Sequence, residues 1–400
     1  MKNGRRMMIV ILSVCLLVGL WCCPAVAETG DEGIALHTVR PSEGDSSVSL
    51  ALNCKSAVLM EASTGQVLYE QNADEALPPA SVTKVMTLLL VMEAIEEGRI
   101  GWEDTVRASA HAASMGGSQI FLKEGEEMTV SDLVKSVVIA SANDAAVALA
   151  EAVAGSEEAF VAKMNQRAAE LGMETARFEN TNGLDDTTTG HVLSARDIAI
   201  MSRALIAHPK ILEYSSIWMD TIRDGAFGLT NTNRLVRFYR GCTGLKTGST
   251  SKAGFCVSAT AKRDSMSLIC VIMGADSRDI RNAEATKLLD WGFANYGVYV
   301  AEAGEQPAVP VKGGTQPQVA TVSAEFRAVL PRGDMASVEM TVHLPQSVEA
   351  PVQKGQSLGE IVYTCGGREV GRCPVLAAES VSQITYGELW YRMLTKVLLA

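Results

Sequence analysis

Apolar positions along this chain switch between alternating runs and helical spacing, and the switches mark its elements. The stretch A-V-L-M-E-A-S-T-G-Q-V-L-Y-E, from Ala57, predicts two short strands about a Ser-Thr-Gly turn. Next, P-P-A-S-V-T-K-V-M runs into T-L-L-L-V-M-E-A-I-E-E-G, an apolar helix with Ser81 and Lys84 at its head. Thr129 or Ser131 caps a second helix, S-D-L-V-K-S-V-V-I-A, with Asp132 against the positive end of its dipole. A break at S-A-N precedes the alanine-rich D-A-A-V-A-L-A-E-A-V-A-G, closed by Gly155. A-R-D-I-A-I-M-S-R-A-L-I is helical as well. L-K-T-G-S-T then opens a strand, F-C-V-S-A-T-A-K-R-D-S-M-S-L-I-C-V-I-M reads as a hairpin about Arg263, and R-N-A-E-A-T-K-L-L-D-W-G-F returns to helical spacing. Strands at both ends with helices between predict an α/β (α+β) domain over residues 51–298, with one mixed sheet flanked by helices.

Past residue 300 the pattern changes. A-E-A-G-E-Q-P-A-V-P-V-K-G-G-T-Q-P reads as a linker, and F-R-A-V-L-P-R, V-E-M-T-V-H-L and G-E-I-V-Y-T are short alternating runs, so residues 299–381 are expected to form a small all-β sandwich. Residues 382–400 place Leu389, Trp390, Met393, Leu394, Val397 and Leu398 on one stripe of an amphipathic helix, with Arg392 and Lys396 off it. At the other end, Lys2, Arg5 and Arg6 precede an apolar run and P-A-V-A, which predicts a signal peptide over residues 1–27. That run is shorter than the roughly 20 residues of a spanning helix. Residues 28–50 are polar and rich in turn formers, a flexible leader.

With 400 residues, 47% apolar and 20% charged, the chain has the composition of a globular protein. Loss of Lys2, Arg5 and Arg6 on export takes the formal charge from -11 to -14, which excludes nucleic acid as a partner, because neutralising phosphates needs clustered Lys and Arg. Of nine cysteines, Cys15, Cys22 and Cys23 leave with the signal, and the rest show neither C-x-x-C nor Cys/His metal spacing. Cys256 and Cys270 lie symmetrically about Arg263, so they are placed either to face each other as a disulfide or to sit as two buried thiols. Cys365 and Cys373 bracket G-G-R-E-V-G-R, but a tight turn at Gly366-Gly367 carries Cys373 past the partner position of Cys365.

Candidate chemistry begins at Ser81. Lys84 stands one helical turn along on the same face, where it can take the hydroxyl's proton if burial or a second cation lowers its pKa from roughly 10.4. S-x-x-K alone is weak evidence, and a capping serine beside a solvated lysine is its plainer reading. Two further segments change its weight: Ser141-Ala142-Asn143 offers a hydroxyl and a carboxamide at a helix break, and Lys246-Thr247-Gly248 a cation, a hydroxyl and a residue without a side chain. The three occur in the order and rough spacing expected of the penicillin-binding and serine β-lactamase superfold, with its S-x-x-K, S-x-N and K-T-G motifs, Ala142 standing where glycine or aspartate is also familiar. His111 and His191 belong to no G-x-S-x-G or H-E-x-x-H motif and read as structural.

P-P-A-S-V-T-K-V-M-T, S-A-N-D-A-A-V-A-L-A-E, F-E-N-T-N-G-L-D, H-V-L-S-A-R-D-I-A, N-T-N-R-L, G-L-K-T-G-S-T-S-K-A-G-F and R-N-A-E-A-T-K-L-L-D-W-G-F resemble the exported D-alanyl-D-alanine carboxypeptidases, the low-molecular-mass penicillin-binding proteins. A-P-V-Q-K-G-Q-S-L-G-E-I is similar to that family's small C-terminal β domain. The resemblance implies a serine acyl-enzyme acting on peptidoglycan stem peptides and acylated by β-lactam antibiotics, with no cofactor. By the same resemblance Ser81 attacks, Lys84 takes the proton, Ser141 relays one to the leaving amine and Asn143 holds the substrate amide. Lys246, Thr247 and Arg281 would grip the terminal carboxylate, the N–H groups of Ser81 and Ser249 would form the oxyanion hole, and Gly248 completes the motif. It also implies work at the outer face of the cytoplasmic membrane, the terminal helix touching the membrane surface. Alternatives are an endopeptidase using the same residues, a β-lactamase with Glu179 activating water, and a wall-binding protein with a dormant site.

Overall fold

The computed structural model describes residues 50–186 and 188–398. The segment expected to be a signal peptide, with Cys15, Cys22 and Cys23, and all but the last residue of the expected leader lie outside the described residues. Strand β1 (Ser56–Glu61) turns at Ser63-Thr64-Gly65 into β2 (Val67–Gln71), as the alternation predicts. The helices follow: α1 (Lys84–Glu96), α2 (Val130–Ile139), α3 (Asn143–Ala154) and α4 (Ala195–Ile206). Thr129 caps α2 by accepting the Asp132 N–H, and Ser194 and Asp197 close a reciprocal capping box on α4. Strands β3 (Cys242–Thr250), β4 (Gly254–Arg263) and β5 (Met266–Ala275) lead to helix α5 (Arg278–Asn295).

The sheet order is β2-β1-β5-β4-β3, so both ends of the domain meet where β1 pairs with β5. All four pairings are antiparallel, which corrects the expected mixed sheet. Connectivity accounts for three of the four: β1–β2 and β3–β4–β5 are joined by short turns, and parallel neighbours would need crossover connections. Helices α1 to α4 cover one face, and α5 covers the other. Along β5, Ile269, Val271 and Met273 enter the first core while Leu268, Cys270 and Ile272 enter the second, so the strand reads as a continuous apolar run.

The cysteine expectation resolves the same way. The hairpin turns at Asp264-Ser265 rather than at Arg263, Cys270 lies opposite Ala259, and Cys256 lies opposite Gly248 of β3. Cys256 and Cys270 therefore face different cores as buried free thiols, and Cys365 and Cys373 are free too.

After α5 the chain passes directly into β6 (Tyr296–Ala301), then β7 (Gly304–Lys312), β8 (Gln318–Ser323), β9 (Phe326–Pro331), β10 (Val338–His343), β11 (Val348–Glu349), β12 (Ser357–Cys365) and β13 (Arg368–Ala377). The last strands form a sheet of order β10-β12-β13-β8-β7-β11, and β6 pairs with β9. The segment read as a linker is thus largely strand β7. Pro307 is accommodated in the strand because it falls in a bulge between Gln306 and Val309, where a missing N–H is tolerated. Helix α6 (Tyr386–Leu398) ends the described chain.

Candidate active site

Ser81 lies in a single 3-10 turn, Ala80–Thr83, which runs into α1 at Lys84. The three-residue spacing brings Lys84 Nζ to 2.9 Å from Ser81 Oγ. Lys84 is wholly buried, and its amine also meets Asn143 Oδ1 at 2.5 Å and the Asn182 carbonyl at 2.9 Å. Burial holds its pKa well below that of an ordinary lysine; the Lys246 charge adds to this and Asp144 opposes it. A neutral amine has two hydrogens and one lone pair. Asn143 Oδ1 and Asn182 O can only accept, so they take the two hydrogens and leave the lone pair to the Ser81 hydroxyl. The Asn143 amide is oriented by its own Nδ2, which donates to Gly116 O at 2.6 Å.

Ser141 stands between α2 and α3 with φ +62, a left-handed conformation unusual outside glycine, and Ala80, beside Ser81, has φ +48. From β3, Lys246 Nζ donates to Ser141 Oγ at 2.8 Å and to the Thr247 carbonyl at 2.9 Å. Lys246 is buried, and burial followed by the charge of Arg281 lowers its pKa to about 7. The K-T-G segment sits in the middle of β3 rather than opening it. β3 is the edge of the sheet and lies against the serine turn. A Cβ on Gly248 would stand 2.8 Å from Ser81 N and 2.9 Å from Pro79 O, so the absence of a side chain permits this approach.

Thr247 donates to Thr232 Oγ1 at 2.8 Å, and Ser249 is exposed at the strand's outer end. Arg281, in the first turn of α5, hydrogen-bonds none of the other candidate residues. Its guanidinium donates to Asn282 Oδ1 and the Cys256 carbonyl, and burial lowers its pKa to about 10. Ser81, Lys84 and Asn143 therefore form one hydrogen-bonded group and Ser141 and Lys246 another, the two coupled by the Lys246 charge acting on Lys84, and Arg281 is hydrogen-bonded to neither. Two surface cavities of about 510 and 530 Å³ lie elsewhere; of the candidate residues, Ser249 alone lines one of them.

Sequence reasoning missed several supporting groups. Asn182 contributes only a carbonyl, and its neighbour Gly183 has φ +82 with an added Cβ 1.9 Å from Ala80 O, so this loop is seated on the serine turn. Asp144, buried beside Asn143, accepts the N–H groups of Ile120 and Leu122. His191 is structural, as expected. Its Nδ1 accepts the Glu179 N–H, so Nε2 carries the proton and donates to Thr83 Oγ1, which donates to Ala80 O. His111 pairs with Glu157 on the surface.

A family model described as D-alanyl-D-alanine carboxypeptidase matches residues 43–277, and one for the penicillin-binding protein 5 C-terminal domain matches residues 298–383. The chain belongs to the D-alanyl-D-alanine carboxypeptidase family. Within that family it is 44% identical over 363 residues to the carboxypeptidase DacF of Bacillus subtilis, covering 88% of this chain and 93% of that protein. Penicillin-binding protein 5 of Haemophilus influenzae superposes with a TM-score of 0.75 at 31% identity, over 83% of this chain and 98% of that one. Penicillin-binding protein D2 of Listeria monocytogenes, solved in an ampicillin-bound form, superposes with a TM-score of 0.56 at 33% identity, over 61% of this chain and 99% of that one.

Proposed function

We propose that this protein hydrolyses the terminal D-alanyl-D-alanine bond of peptidoglycan stem peptides through a Ser81 acyl-enzyme, and that β-lactam antibiotics acylate the same serine. The observation that carries the reading is the buried Lys84 amine, 2.9 Å from Ser81 Oγ with its two other partners both acceptors. Such an amine takes the serine proton as Oγ attacks the penultimate D-alanine carbonyl. The N–H groups of Ser81 and Ser249 receive the oxyanion, a role supported by the close approach of β3 to the serine turn. Ser141, accepting from Lys246, passes a proton to the departing D-alanine amine. Asn143 meets the substrate amide, and Lys246, Thr247 and Arg281 attract its terminal carboxylate. Water then frees the serine.

Glu179 is poorly placed for the β-lactamase alternative: its carboxylate accepts the N–H groups of Thr189 and Gly190 and pairs with Arg177. A dormant wall-binding protein has no use for two lysines buried at an energetic cost. Residues 1–27 would direct export, and the catalytic domain 51–298 and β domain 299–381 would work at the outer face of the cytoplasmic membrane. None of the described helices is long and apolar enough to cross a membrane. Instead the exposed Leu389, Trp390, Met393, Leu394, Val397 and Leu398 of α6 would lie on its surface.

D-alanine release from Nα,Nε-diacetyl-L-Lys-D-Ala-D-Ala tests the reading. The wild type should release it, and Ser81→Ala should lose about a thousandfold or more in kcat. No release by the wild type, or undiminished release by the variant, would overturn the function.

A further inference from the structure

Phe121 combines three properties that seldom coincide. Its backbone is left-handed, with φ +58. The side chain is 66% exposed, although its neighbours Ile120 and Leu122 are buried. The conformation is also fixed from several sides. The Asp144 carboxylate accepts the N–H groups of both neighbours, and Arg223 donates to the Ile120 carbonyl at 2.8 Å while pairing with Glu126. The phenyl ring meets Phe227 edge-on at 6.3 Å between centroids, and the Arg223 guanidinium lies 5.3 Å from the Phe227 ring.

A turn that needs this backbone is built most cheaply with glycine or asparagine, because a Cβ is strained there. Burial does not explain a phenylalanine in their place, since the ring is largely in solvent. The surrounding contacts hold an apolar surface outward at a conformational cost, a pattern that points to a contact made by the ring itself.

The segment that carries Phe121 also holds a candidate site residue. The same segment grips Asn143 twice, through Ser118 O on its N–H at 2.7 Å and Gly116 O on its Nδ2. Phe227 belongs to the hairpin Met219–Ile222/Phe227–Thr230, which leads into Thr232, the partner of Thr247. The aromatic pair thus joins the wall that carries Asn143 to the segment that carries Thr232.

We infer that Phe121, backed by Phe227, forms a specificity subsite for a long aliphatic side chain on the residue preceding the D-alanyl-D-alanine unit. The inference rests on the carboxypeptidase reading, in which Asn143 meets the amide on that side of the scissile bond. An exposed aromatic face is suited to a methylene chain, whose apolar surface it removes from water. Phe121 binds and selects; it moves no proton.

Two peptides separate this role from a structural one: Nα,Nε-diacetyl-L-Lys-D-Ala-D-Ala and Nα-acetyl-L-Ala-D-Ala-D-Ala. The wild type should favour the lysyl peptide through a lower KM. Phe121→Ala should raise that KM about tenfold, with kcat and the alanyl peptide's KM little changed. Phe121→Asn, which suits the left-handed turn, should melt no lower than the wild type yet lose the preference equally, and Phe121→Tyr should keep it. A preference that survives in both Phe121→Ala and Phe121→Asn, or a kcat that falls equally on both peptides, would overturn the subsite. Failure of the wild type to release D-alanine from either peptide would overturn the carboxypeptidase reading itself, and the subsite with it.

Discussion

Lys84 shows how much one proton decides. Its amine serves as a base only when neutral, and both burial and the Lys246 charge favour that form. Acylation by a fluorescent penicillin should therefore rise with pH as Lys84 loses its proton, and the rise should begin far below the ordinary lysine range. Lys246→Gln removes a neighbouring cation, so the Lys84 pKa goes up and the same limb should move to higher pH while the rate falls; an unmoved limb would count against the coupling. His191 makes the opposite kind of statement, about stability. Burial lowers its pKa from 6.5 to about 4, so above pH 6.5 both folded and unfolded states hold it neutral and its contribution is complete. As pH falls from 6.5 toward 4, the unfolded state takes up the proton first and stability is lost. The melting temperature should drop across that window, and less steeply in His191→Gln than in the wild type.

Two short elements, the serine turn and edge strand β3, must touch for these residues to meet, and Gly248 is where they do. Gly248→Ala places a methyl against backbone atoms of Pro79, Ser81 and Val82, none of which can swing aside as a side chain would. β-lactam acylation should fall by about a hundredfold, the scale of a displacement near 1 Å at a reacting group, while circular dichroism still reports a folded protein. Elements with strong local signals were legible in advance: the period of α1 to α5, the cap at Thr129 and the turn at Ser63-Thr64-Gly65. Ser81, Lys84, Ser141, Asn143 and Lys246 could be singled out because each brings its own chemistry in a short motif. What stayed hidden acts at long range or through the backbone. The Asn182 carbonyl has no side-chain signature, the Thr232–Thr247 bond joins separate segments, and Asp144 works by holding N–H groups two dozen residues upstream. Strand β7 was obscured by Pro307, which a bulge accommodates, and strand direction depended on which ends meet.

At the scale of the molecule, α5 runs without a loop into β6, and Val298 and Val329 of the β region share the core beneath α5. The β domain is thus continuous with the catalytic one, while α6 extends beyond it with its apolar stripe exposed. Removal of residues 385–400 should leave kcat and KM on soluble peptides unchanged and abolish co-sedimentation with anionic lipid vesicles. Equal sedimentation of both forms would exclude α6 as the membrane contact. The pairing of β1 with β5 sets Ser56 opposite Met273, more than two hundred residues later in the chain. That separation imposes an order in time. A nascent chain already carries the serine turn long before its sheet can close, and such distant pairing is slow to form. The active site is therefore complete only once nearly the whole catalytic segment has been made.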